Sequence, residues 1–151
     1  MTSISLKIIQ NIYEKIEDEY TDSQADYISL CLEFTEKKVD EIYVYIYRNE
    51  GMRMFNAFFT KNGKYVSTAD IADDEYIYEF LNVGTADIHK FKDLCDEFGK
   101  PCPNEFKLIY NVNSGSFDAD YGYEDYSIKG ETSGMEEYGA WRRKIKAQLG
   151  K

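Results

Sequence analysis

The ten residues Phe117-Asp118-Ala119-Asp120-Tyr121-Gly122-Tyr123-Glu124-Asp125-Tyr126 bring together four carboxylates and three tyrosines. Carboxylates at that density can bind a divalent cation, serve as acid and base in hydrolysis, or attract a basic surface. On a β-strand, side chains alternate between faces. Phe117, Ala119, Tyr121 and Tyr123 would then share one face, and Asp118, Asp120 and Glu124 the other. Such a strand suits a basic protein partner: the acids steer it in, and the tyrosines add contact area at low entropic cost. The plainer reading is the solvated outer face of an ordinary sheet. A second acidic group, Asp73-Asp74-Glu75, has the composition of a helix N-terminus, where negative charge meets the positive end of the dipole.

The chemistry of catalysis is thinly represented. His89 is the sole histidine, which excludes multi-histidine metal sites and weakens any Ser-His-Asp or Cys-His arrangement. No glycine-rich phosphate loop is present, the ten glycines being scattered. The run Asp118-Ala119-Asp120-Tyr121-Gly122-Tyr123 echoes a calcium loop but lacks the spaced acids and distant glutamate of an EF-hand. The three cysteines, Cys31, Cys95 and Cys102, form no CxxC pair and read as free thiols of a reducing cytoplasm. The expectation is no catalytic residue, no metal and no cofactor. A carboxylate metal-dependent hydrolase is the minor alternative, but a nuclease of that kind would bring a basic groove for its substrate.

Charge points the same way. The chain has 151 residues, 28 acids and 18 bases, for a net −10. The last ten residues contain five of the bases and no acid, so the first 141 carry a formal −15. Such a body repels nucleic acid and anionic membrane and attracts basic protein. The N-terminus has no long apolar run typical of a signal peptide, and no stretch approaches a membrane span. The expected setting is the cytoplasm.

The elements that must position these residues can be read from hydrophobic period. Leu6, Ile9, Tyr13, Ile16 and Tyr20 predict an amphipathic N-terminal helix. Ile28, Leu30, Leu32 and Phe34 alternate with polar residues and predict a strand. Ile42, Val44 and Ile46 alternate with Tyr43, Tyr45 and Tyr47, a strand whose tyrosine face would lie under a helix or a partner. A further strand covers 53–59, and Lys61-Asn62-Gly63-Lys64 predicts a type I′ hairpin into 65–67. A short helix is expected within 70–84. A second starts at Thr85 as N-cap, carries Ile88, Phe91, Cys95 and Phe98 as an apolar stripe, and ends at Gly99 and Pro101. Phe106, Leu108 and Tyr110 begin another hairpin, which turns at 113–116 into the acidic strand. After a polar loop over 128–134, a capping box at Ser133-Gly134-Met135-Glu136 opens a final helix bearing Tyr138, Trp141, Ile145 and Leu149. The expected fold class is α+β: one domain over 1–151, with an antiparallel sheet of five to six strands and two hairpins. N-terminal, middle and C-terminal helices would pack against that sheet.

This order of elements resembles the YezG-like family of bacterial immunity proteins. The resemblance covers most of the chain by element order. By residues it rests on Asp120, Tyr121, Tyr123, Glu124 and Asp125 and on the closing Trp141. One departure is Pro101-Cys102-Pro103, where members of the family carry a tryptophan soon after the proline. The resemblance implies a cytoplasmic antitoxin that neutralises a cognate secreted polymorphic toxin, a basic nuclease being the expected type. The candidate partner-binding residues are Asp118, Asp120, Tyr121, Tyr123, Glu124, Asp125 and Tyr126, with Asp73, Asp74 and Glu75 as a second choice. The runner-up is an acidic adaptor module whose partner is not a toxin.

Overall fold

The structure is a computed structural model and describes residues 24–97 and 99–150; the N-terminal helix expected over 6–20 lies outside them. The sheet grows outward from β1 (Glu41–Asn49), whose aliphatic and tyrosine sets are both buried. A strand buried on both faces must be central, with a layer on each side. β2 (Met52–Lys61) returns beside it, and β3 (Lys64–Val66) follows the expected hairpin, with Asn62 at φ 54° and Gly63 at φ 73°. Positive φ at both positions is the type I′ requirement that Asn-Gly meets at low strain. β4 (Glu105–Asn111) and β5 (Phe117–Gly122) form the second hairpin. All pairings are antiparallel, in the order β3-β2-β1-β4-β5. The α+β class with an antiparallel sheet and flanking helices is therefore as the sequence predicts.

Two cores hold the layers. On one face Ile42, Val44 and Ile46 join Phe55, Phe59, Phe106 and Leu108 against α1, which covers 24–35, and α2 (Asp74–Glu97). On the other, Tyr43, Tyr45, Tyr47 and Phe58 meet Tyr138 and Trp141 of α4 (Gly134–Leu149). The Trp141 ring stands edge-on to Tyr43 and Phe58 at 5.7 and 5.3 Å. Such geometry adds about 0.5–1.5 kcal/mol per pair beyond burial. The tyrosine face of β1 is thus covered from within the chain. A single turn, α3 (Tyr126–Lys129), links β5 to α4.

Three local expectations are corrected. Residues 28–34 are helical: Gln24, Tyr27, Ile28, Cys31, Phe34 and Thr35 are buried, a stripe of helical spacing. The alternating residues Leu30 and Leu32 are only half-buried, and short apolar runs fit both periods. The two middle helices are one, α2, with Gly84 and Thr85 in its interior. Gly84 is not a stop. A Cβ there would lie 2.2 Å from the Phe55 ring, so glycine admits close contact between helix and sheet. Thr85 donates its hydroxyl to the Leu81 carbonyl (2.7 Å), a bond within a continuing helix. At α4, Ser133 caps as expected by accepting from the Glu136 N–H. The Glu136 carboxylate instead accepts from the Thr132 hydroxyl (3.4 Å), and the reciprocal half of the box is not made.

Candidate functional site

Among the described residues β5 pairs with β4 on one side only, and α4 lies over β1 and β3 rather than over β5. Every residue from Phe117 to Tyr121 is exposed in consequence. The expected alternation holds up to Gly122, where the strand ends; Tyr123 and Glu124 lie beyond it and are exposed. Directly opposed residues share a face, so Tyr121 sits with Phe106, Ala119 with Leu108 and Phe117 with Tyr110, on the side of α1. Asp120 and Asp118 sit beside Lys107 and Ile109 on the other side. Among the described residues neither Asp118 nor Asp120 has an ion-pair or side-chain hydrogen-bond partner.

The aromatic residues of this edge are unevenly held. Tyr123 is 61 % exposed and Phe117 42 %. Tyr121 is anchored: its ring meets Phe106 edge-on at 5.4 Å, and its hydroxyl accepts from the Gln24 amide. Burial raises the Tyr121 pKa, with the Gln24 bond opposing.

The last two residues of the acidic run serve the fold. Asp125 is the N-cap of α3, accepting from the Ser127 N–H (3.0 Å) and hydroxyl (2.6 Å). It also accepts from the Asn49 amide (3.3 Å) and the Tyr47 hydroxyl (3.4 Å). The Ser127 hydroxyl and N–H, before the other donors, hold its pKa below the usual carboxylate range. Tyr126 stacks on Tyr47 at 5.1 Å and donates to Glu105 (2.8 Å). Tyr45 donates to the same carboxylate oxygen at 2.5 Å. Burial, then the bond to Glu105, raises both tyrosine pKa values well above 10.

The second acidic group is not brought to this edge. Asp73 accepts from the Tyr76 N–H (2.9 Å) at the start of α2, and Asp74 and Glu75 lie exposed in the first turn. They stand by the 3-10 turn Thr68–Asp70, which follows β3 at the opposite margin of the sheet. His89 is exposed on α2. Among the described residues no three His, Cys, Asp or Glu side chains converge in a way that could hold a metal ion. No helix among those residues is long and apolar enough to cross a membrane.

Sequence reasoning missed Phe117 as a site residue. The alternation placed it beside Tyr121, but its exposure follows from β5 being the outermost strand, which depends on strand order. It also missed Glu105, the shared acceptor under the acidic run, since a lone glutamate at a strand start carries no local signal. No family model matches the chain, and no curated protein matches it.

Proposed function

We propose that the chain is a non-enzymatic inhibitor, an immunity protein of the kind its sequence resembles, which binds a basic protein toxin at the acidic edge formed by β5. The carrying observation is the contrast between two tyrosine groups. Those of β1 are buried under α4, whereas Tyr121 and Tyr123 lie exposed with Phe117 among Asp118, Asp120 and Glu124. Exposed aromatics beside exposed carboxylates have the composition of a contact surface for a cationic partner. The net −10 favours such a partner over nucleic acid. In this reading the acids speed and orient association, and the aromatics supply much of the affinity.

The test is co-expression with candidate basic nuclease toxins, beginning with any encoded by a neighbouring gene, together with binding kinetics at low and high salt. Protection of cells should accompany an on-rate that falls steeply with salt, because steering is screened over about 8 Å at physiological ionic strength. Absence of both protection and binding would remove the toxin from the proposal.

A further inference from the structure

We infer that the free edge of β5 accepts an extended segment of the partner as a sixth strand, one whose side chains alternate between basic and apolar. The inference deepens the inhibitor reading and rests on it for the partner's basic character. The ladder sets which way the β5 backbone points. Asn111 donates its N–H to the Ser116 carbonyl (2.9 Å), and Asp118, Asp120 and Gly122 face Ile109, Lys107 and Glu105 in the same register. Residues of an antiparallel strand turn their N–H and C=O groups alternately to one neighbour and the other. Those of Asp118 and Asp120 therefore turn to β4, and those of Phe117, Ala119 and Tyr121 turn outward. The bond from Val112 N–H to the Asp40 carbonyl (2.8 Å) sets the same alternation from the β1 side. No strand among the described residues receives the outward groups.

Each face of an added strand meets a different surface. On the α1 side, Phe117 and Tyr110 border an apolar groove of about 320 Å³ closed by Ala25, Ile28, Ser29 and Leu32. Apolar side chains of the incoming strand fit there. On the opposite face its residues stand beside Asp118 and Asp120, which calls for Lys or Arg. A second copy is disfavoured by charge. Antiparallel self-pairing centred on Ala119 would set Asp118 directly against Asp120 twice, and opposed like charges destabilise a sheet. The other margin of the sheet ends in β3, three residues long and carrying Lys64, a short charged edge that discourages pairing.

The probe is a capped peptide of about eight residues alternating Lys and Val, a length that covers an ordinary strand. Controls are a Glu-Val peptide and a Lys-Val peptide with its lysines made consecutive. The alternating Lys-Val peptide should bind the full chain and slow amide exchange at Ala119 and Tyr121. Ala119→Pro removes an outward donor without touching the β4 ladder, since proline is tolerated at such edge positions. It should weaken the peptide at least about tenfold with the thermal melt unchanged. Reversing both acids, Asp118→Lys with Asp120→Lys, should transfer preference to the Glu-Val peptide, and this pair decides the matter if the proline variant fails to fold. The inference is overturned if Ala119 and Tyr121 are already protected in the free protein, which would mean that residues 1–23 or a second copy fill the edge. It is equally overturned if a folded Ala119→Pro variant binds like wild type, leaving Asp118 and Asp120 as guards of the edge only. Toxin neutralisation that survives a folded Ala119→Pro change refutes strand addition and spares the inhibitor reading. Peptide capture without any neutralisation refutes the inhibitor reading and spares strand addition.

Discussion

Changing Tyr45→Phe removes one oxygen and should cost more than most surface changes in this protein. The Tyr45 ring is fully buried against Tyr138 and Trp141, at 5.4 and 6.2 Å, and a phenylalanine keeps those contacts. What is lost is the 2.5 Å bond to Glu105. A hydrogen bond to a charged group contributes about 1.5–3 kcal/mol. The Glu105 side chain is only 12 % exposed, so water replaces the missing donor poorly, and the upper half of that range, about 2–3 kcal/mol, applies. Stability changes of that size shift the melting temperature by about 4–12 °C in a chain of this length. Tyr126→Phe should cost about 1 kcal/mol, because its ring is half-exposed and solvent can reach the carboxylate from that side. The two hydroxyls serve one oxygen, so the double variant should lose more than the two single losses combined. Among the described residues it leaves Glu105 with the Lys107 ammonium, 4.0 Å away. Urea unfolding of the four proteins completes the cycle. A Tyr45→Phe variant within about 0.5 kcal/mol of wild type, or strictly additive losses, would refute the shared-acceptor argument.

Gly84→Ala should destabilise by about 1–2 kcal/mol in urea melts, since overpacking against Phe55 outweighs the helix-propensity gain of about 1 kcal/mol; a more stable variant would show that Phe55 yields freely. Raising pH should unfold the protein abruptly. Tyr43 is pushed up to about 12 and Tyr27, Tyr45, Tyr126 and Tyr138 are raised further, in each case chiefly by burial. The folded state favours the neutral phenols, so their contribution is full below about pH 10, where unfolded tyrosine ionises, and is lost as pH climbs through 12 and beyond. Tyrosinate absorbance should therefore rise together with loss of near-ultraviolet circular dichroism; reversible titration of every tyrosine near 10 with the fold intact would contradict this. At the acid end, the lowered pKa of Asp125 makes its contribution present above about pH 4 and lost as pH falls through its folded value. The Ser127 amide resonance should report that change before α4 responds, and simultaneous loss of both would refute a local cap.

What could be read from the residues alone was local or periodic. Asn62-Gly63 specifies its own turn, and Ser133 caps a helix that begins beside it. The alternation from Phe117 to Tyr121 places acids and aromatics on opposite faces without reference to any other strand. Errors arose where a distant residue decides the outcome. Gly84 and Thr85 have the look of a stop and a start, and only Phe55, on β2, explains a glycine inside a continuous helix. Ile28 to Phe34 fits period two by side-chain type, but the buried stripe also includes Gln24, Tyr27, Cys31 and Thr35, which that alternation leaves out. Asp125 was indistinguishable from Asp120 as a charge. Its engagement by Ser127 is local, while that by Asn49 and Tyr47 depends on where β1 ends. The exposure of the acidic strand itself follows from strand order, which no local pattern encodes.

The most direct test of the inhibitor account is the affinity of the purified protein for its proposed toxin partner, with the exposed acids of the edge neutralised. The variant combines Asp118→Asn, Asp120→Asn and Glu124→Gln and spares the capping residue Asp125. Removing one partner of a desolvated charge pair costs about 2–5 kcal/mol, so the loss should be about 30-fold or more. The thermal melt should stay at the wild-type value, and Asp74→Asn with Glu75→Gln at the opposite margin should leave affinity nearly unchanged. Wild-type affinity in the edge variant, or a larger loss in the opposite-margin variant, would contradict the assignment of binding to β5.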